Sequence, residues 1–116
     1  MAKQRVLLAA LMFAFVVAGV QKAAAADAPQ KEVAQNDKLR VYETTYQPGD
    51  VSPSQKRSMR VVHALKGGTL ERTYADGTKE TVVWKTGDTK IISEEKLYAV
   101  KNVGKGTVRL LIVALK

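Results

Sequence analysis

The 116-residue chain carries 19 Lys and Arg against 11 Asp and Glu, with no cysteine and one histidine, His63. That length holds one domain. The lack of cysteine excludes disulfide frameworks, thiol nucleophiles, Cys-ligated zinc and iron–sulfur clusters, and a lone imidazole excludes a multi-histidine metal site.

The first segment reads as an address. Lys3 and Arg5 precede an unbroken apolar run, Val6–Val20, and then come Gln21, Lys22 and the alanine tract Ala23–Ala26. A basic n-region, an apolar stretch too short to span a bilayer and small residues at the −1 and −3 positions predict a bacterial secretory signal. Cleavage is expected before Asp27 or before Pro29, so residues 1–28 are read as the signal. The chain is expected in the periplasm or the medium, touching a membrane only through the signal before cleavage. Cleavage before Asp27 removes Lys3, Arg5 and Lys22 and lowers the net charge from +8 to +5. That is modest for a nucleic-acid binder, and none is expected as a partner.

Residues 29–38 (PQKEVAQNDK from Pro29) are polar, show no clean period and read as a flexible leader. Residues 39–116 form the domain. Leu39–Tyr46 alternates and is rich in Val, Thr and Tyr, which predicts a strand. Gln47–Ser58, with two prolines, a glycine and three serines, reads as a long loop. Strands follow at Met59–Leu65, Thr69–Tyr74, Glu80–Lys85, Thr89–Ile92, Leu97–Val103 and Thr107–Leu115. The breaks between them are Lys66-Gly67-Gly68, an Asp76-Gly77 hairpin turn, Gly87-Asp88, the charged turn Ser93–Lys96 and Gly104-Lys105-Gly106. Seven short antiparallel strands and no helix after the signal predict an all-β sandwich or barrel. The last strand is apolar on both faces over Leu110–Leu115, so it is expected at the centre of a sheet or at a subunit interface. A small, cysteine-free core with such a strand predicts a homodimer.

The order of the punctuation is distinctive. Pro48-Gly49-Asp50, then Val61–Gly68 (VVHALKGG), then Tyr74–Gly77, then Gly87-Asp88, then Asn102-Val103-Gly104 resembles the small single-domain cupins over about Asn36–Lys116. The resemblance implies an antiparallel cupin-type β-barrel, a double-sheet jelly roll. Many cupins hold one metal on three histidines and a carboxylate. Their first motif runs Gly, five residues, His, one residue, His, three or four residues, Glu, six residues, Gly. Anchored on Gly49 and Gly68, it puts its histidines on Gln55 and Arg57 and its glutamate on Val61. The second motif, anchored on Gly87, puts its histidine on Tyr98 and its asparagine on Asn102. The turn glycines and the asparagine are kept, while all four ligand positions hold non-ligands. The resemblance therefore implies the fold without the family's metal, and no cofactor is expected.

Candidate ligand-binding residues are Gln55, Arg57, His63, Tyr98 and Asn102, and no catalytic residue is assigned. Arg57 at a ligand position would bring an organic cation to the barrel mouth, where its planar fork suits carboxylate or phosphate. Gln55 and Tyr98 would add neutral hydrogen-bond donors. His63, two residues after the glutamate position, shares its strand face and is expected to point inward. The expected role is binding of a small anionic or polar ligand, or a structural module. The alternatives are a metal-independent isomerase using His63 as base and a basic surface for envelope anions. Trp84, Tyr42, Tyr46 and Tyr74 read as packing residues.

Overall fold

Alternation writes the barrel wall. Along Arg60–Lys66, Arg60, Val62 and Ala64 are buried while Val61, His63 and Leu65 lie on the opposite side. Period-two burial is what a strand with one face on a core must show. The computed structural model describes residues 26–93 and 97–116. The apolar run Val6–Val20 and most of the charged turn at residues 93–96 lie outside them. The described strands are β1 (Gln30–Gln35), β2 (Leu39–Tyr46), β3 (Val51–Gln55), β4 (Arg60–Lys66), β5 (Gly68–Tyr74), β6 (Lys79–Trp84), β7 (Thr89–Ile92), β8 (Tyr98–Asn102) and β9 (Val108–Leu115). No described residue is helical, and among the described residues no helix is long and apolar enough to cross a membrane.

The strands form two antiparallel sheets that face each other. One has the order β1-β2-β9-β4-β7 and the other β3-β8-β5-β6. β9 is the middle strand of the larger sheet, which explains its apolar character on both faces. Leu110 and Ile112 face the core at 6 % and 8 % exposure, so they are not interface residues. Their outward neighbours Leu111 and Val113 carry the apolar character of the other face. The core joins Val62, Ala64, Val108, Leu110 and Ile112 of one sheet to Leu70, Trp84 and Val100 of the other.

Two segments correct the sequence reading. Residues 29–38 are not a leader: Gln30–Gln35 is a full edge strand on β2. Every residue of β1 is exposed, so no apolar alternation was needed to form it, and periodicity could not reveal it. Backbone pairing holds it, reinforced by the Arg40–Glu32 ion pair at 3.0 Å and the Arg40 Nη2 bond to Gln30. The loop Gln47–Ser58 likewise contains β3. Pro53 lies inside a bulge between Ser52 and Gln55, where the ladder skips and its missing N–H costs nothing. The domain thus has nine described strands rather than seven.

One end of the barrel is closed by a repeated turn. In Gln47-Pro48-Gly49-Asp50 the Asp50 N–H bonds Gln47 O, and the Asp50 carboxylate accepts the Gln47 N–H. Lys85-Thr86-Gly87-Asp88 repeats both bonds. Gly49 and Gly87 stand at the third position with φ of 88° and 93°, the left-handed region that a type II turn requires there. Each turn also clasps a strand: Gly49 N–H bonds Asn102 O while Asn102 N–H bonds Asp50 O, and Gly87 and Asp88 treat Ala64 in the same way.

Candidate functional site

The opposite end gathers cations around one tyrosine. Tyr98 starts β8 and is 1 % exposed. The Arg57 guanidinium carbon lies 4.3 Å from the centre of its ring and that of Arg72 4.5 Å. Arg60 donates through Nη2 to the Tyr98 hydroxyl oxygen and through Nη1 to Ser58 O at 3.1 Å. A phenol ring with its negative face turned to guanidiniums offsets part of the cost of drying them. Tyr74 stands against Tyr98 at 5.6 Å between ring centres.

The three arginines are anchored differently. Arg72 pairs with Glu80 at 3.6 Å. Arg57 donates to Tyr98 O at 2.6 Å, Ser52 Oγ at 3.1 Å, Gln55 O at 3.3 Å and Pro53 O at 3.5 Å. It therefore also latches β3 to β8 across the bulge. Arg60 is buried at 6 % exposure, and among the described residues its hydrogen bonds go only to neutral oxygens. The ion pairs among the described residues involve neither Arg57 nor Arg60. Burial lowers the pKa of Arg57, and repulsion from Arg60 adds to the shift, while Tyr98 and Tyr46 oppose it. Burial also raises the Tyr46 hydroxyl, opposed by its bond to Ser52 and by Arg57.

Two spaces meet at these arginines. A cavity of about 50 Å³ lies inside the barrel, walled by apolar side chains such as Val62, Leu70, Trp84 and Leu110 and headed by Arg57, Arg60 and Arg72. A larger groove of about 210 Å³ opens outside and shares only Arg57 and Arg60 with the cavity. The small volume suits a few heavy atoms or waters, and the groove suits a larger polar group.

The sequence candidates are only partly united. Arg57 and Tyr98 meet at the mouth, and Gln55 pairs with Tyr98 across the ladder and lines the groove. His63 does not join them. It shares a face with Val61 as expected, but that face is the outer one, and its Nδ1 lies 2.7 Å from Thr89 Oγ1. The phase of β4 is set by Val62 and Ala64, which the core needs inside. Asn102 is at the closed end and fully engaged. Its Nδ2 donates to Tyr46 O at 2.9 Å and Gly106 O at 2.8 Å, and its Oδ1 accepts the Gly104 N–H. It is a turn-holding residue. Arg60 and Arg72 were missed, although each is in phase with an apolar core residue two positions away, Val62 and Leu70. That in-phase placement was the available signal.

The residues at the open end do not fit the metal of the fold family. Guanidiniums only donate hydrogen bonds and repel a cation. Among the described residues, no group of three or more His, Asp or Glu side chains converges to hold a metal ion.

No family model matches this chain, and no curated protein matches it. Solved structures do. A cupin domain from Bordetella pertussis Tohama I superposes with a TM-score of 0.72 at 20 % identity, covering 79 % of this chain and 96 % of its own. A cupin superfamily protein from Desulfitobacterium hafniense gives 0.59 at 16 % identity, covering 78 % and 79 %. An RmlC-like cupin with a double-stranded β-helix fold from Methanocaldococcus jannaschii gives 0.61 at 13 % identity, covering 78 % and 82 %. With its two facing antiparallel sheets and paired Gly-Asp turns, the chain has the cupin fold, an all-β jelly roll.

Proposed function

We propose that this protein binds a small anion at the open end of the barrel, without a metal, and that Arg60 and Arg57 hold it. The observation that carries this reading is the cluster of guanidiniums around Tyr98, two of which have no carboxylate partner among the described residues. Like charges gathered in a partly dry site raise the energy of the empty protein. A carboxylate or phosphate entering there would relieve that repulsion and gain charge-assisted hydrogen bonds, each on the order of 1.5–3 kcal/mol. Arg57 spends most of its donors on the chain itself, so Arg60 is the better anchor and Arg57 the wall beside it. Gln55 and the Tyr98 hydroxyl supply neutral polar contacts. His63 lies outside, so the isomerase alternative loses its base within the barrel.

Isothermal titration with acetate, longer carboxylates and inorganic phosphate tests the reading. Binding is expected with 1:1 stoichiometry, and Arg57→Ala should weaken it roughly ten- to a hundredfold. Elemental analysis should find no stoichiometric metal; a full equivalent of metal would overturn the proposal. We also propose that the protein is exported after removal of residues 1–26 or 1–28, on the strength of the basic start, the apolar run and the alanine tract. N-terminal sequencing of periplasmic protein should begin at Asp27 or Pro29, and a full-length chain extracted only with detergent would refute export.

Two copies are proposed to associate through the outer face of the larger sheet. There Val41, Val113, Val61 and Ile91 form one cross-strand row, with Val61 36 % and Ile91 75 % exposed. A second copy covering this row would remove an apolar surface that a small exported domain would otherwise leave in water. Sedimentation should show a dimer that Ile91→Lys dissociates, and a wild-type monomer at micromolar concentration would refute it.

A further inference from the structure

The groove outside the mouth has a charge pattern that a single anionic group would not use up. Its described lining includes five cations, Arg40, Lys56, Arg57, Arg60 and Lys116, and no acidic residue. The sheet register explains the grouping. Ala114 on β9 pairs with Arg40 on one side and Arg60 on the other. The three residues form one cross-strand row, so Arg40 and Arg60 flank a methyl group. With strands about 4.8 Å apart, their Cα atoms are separated by roughly 10 Å. Ala114 is too small to fill that span, and the groove runs above it. Arg40 is held in place independently: its guanidinium stacks on Tyr42 at 4.2 Å, and its Nε and Nη2 bond Glu32 and Gln30. Glu32 is not part of the groove lining. Lys116 is held by its Nζ bond to Gln35.

We infer that the ligand is a dianion with its two charged groups separated by a short spacer, one taken by Arg57 and Arg60 and the other by Arg40 and Lys116, the spacer crossing Ala114. This rests on the anion-binding reading above and names the ligand class that the site would select. A monoanion can satisfy only the inner pair. A dianion engages both, and its second group is bound without a further loss of translational freedom.

The test compares glutarate with pentanoate, which share a five-carbon chain and differ by one carboxylate, by titration calorimetry at constant ionic strength. Wild-type protein should bind glutarate at least fivefold more tightly than pentanoate. Arg40→Gln and, separately, Lys116→Gln should each bring that ratio toward one, with circular dichroism confirming the fold of each variant. A charge-conserving Arg40→Lys should restore part of the preference. Equal affinity of wild-type protein for the two acids, or a ratio that neither neutralising variant changes, overturns the dianion inference while leaving the anion site standing. Failure of both acids to bind overturns the dianion inference and the anion site together.

Discussion

The two ends of this barrel solve opposite problems with the same strands. At the closed end the chain answers the polar groups of its turns with bonds to itself. The two Gly-Asp turns cap their own first N–H and clasp a neighbouring strand, and the Asn102 amide makes three bonds. At the open end positive charge accumulates against one tyrosine, and Arg60 finds only neutral oxygens. A saturated end fixes geometry and can be relied on as scaffold. An end with unbalanced charge gives up stability and has favourable energy left for a ligand, the trade expected where a binding site is built into a small domain. The repeated turn shows how the trade is supported: it recurs in both halves of the barrel and holds the strand ends, so the open end is not also required to hold the fold together.

Breaking the closed end should have the largest effect. Asn102→Ala strips Tyr46 O of a donor in a buried bond, an unsatisfied group that costs about 1–3 kcal/mol, and also removes the bond to Gly106 O and the acceptor of the Gly104 N–H. Urea denaturation should show a loss of about 2–4 kcal/mol. A loss below half a kcal/mol would mean that water replaces the amide and that this end is less self-sufficient than the bonds indicate.

Neutralising the open end should move stability the other way. Arg60→Met removes a buried cation while keeping an apolar stem, and in the absence of ligand it should leave stability unchanged or raise it by about 1 kcal/mol. The same variant should lose the ligand response: a saturating anion raises the wild-type melting temperature, by about 2.7 kcal/mol of stabilisation at a hundred times Kd, and leaves Arg60→Met unmoved. Clear destabilisation of Arg60→Met would show that the arginine holds the structure, and the contrast between the ends would then fail.

The smallest effect concerns pH. Burial raises the pKa of Tyr46 above that of an unfolded tyrosine, so the folded state keeps the proton that the unfolded chain gives up. Its stabilising contribution is complete below pH 10 and is lost as pH rises through the folded-state value. Tyr46→Phe, which cannot ionise, should show a shallower loss of stability above pH 10 in equilibrium unfolding. Identical slopes for the two proteins would count against it.

How much of this was legible in the sequence depended on burial. β2, β4 through β9 and the Asp-Gly and Gly-Asp turns declared themselves, because half-buried strands must alternate and tight turns with positive φ call for glycine. β1 and β3 did not. One is wholly exposed, so nothing constrains its pattern, and the other hides a proline in a bulge that only pairing with β8 reveals. Gln55, Arg57 and Tyr98 were singled out by the resemblance to cupins, whose motifs are counted from the turn glycines, and the structure brings the three together at the mouth. The site was misread at His63, because which face of β4 is inner is decided by the partner sheet that Val62 and Ala64 pack against. Arg60 and Arg72 were not among the candidates, since a sequence shows residue type and period while the direction of a strand face is fixed only when two sheets close. Sequence determined seven of the nine described strands, the turns and the kind of fold. The tertiary structure decided that Arg40 and Arg60 stand on either side of Ala114, because register between strands distant in the chain is set by the whole barrel.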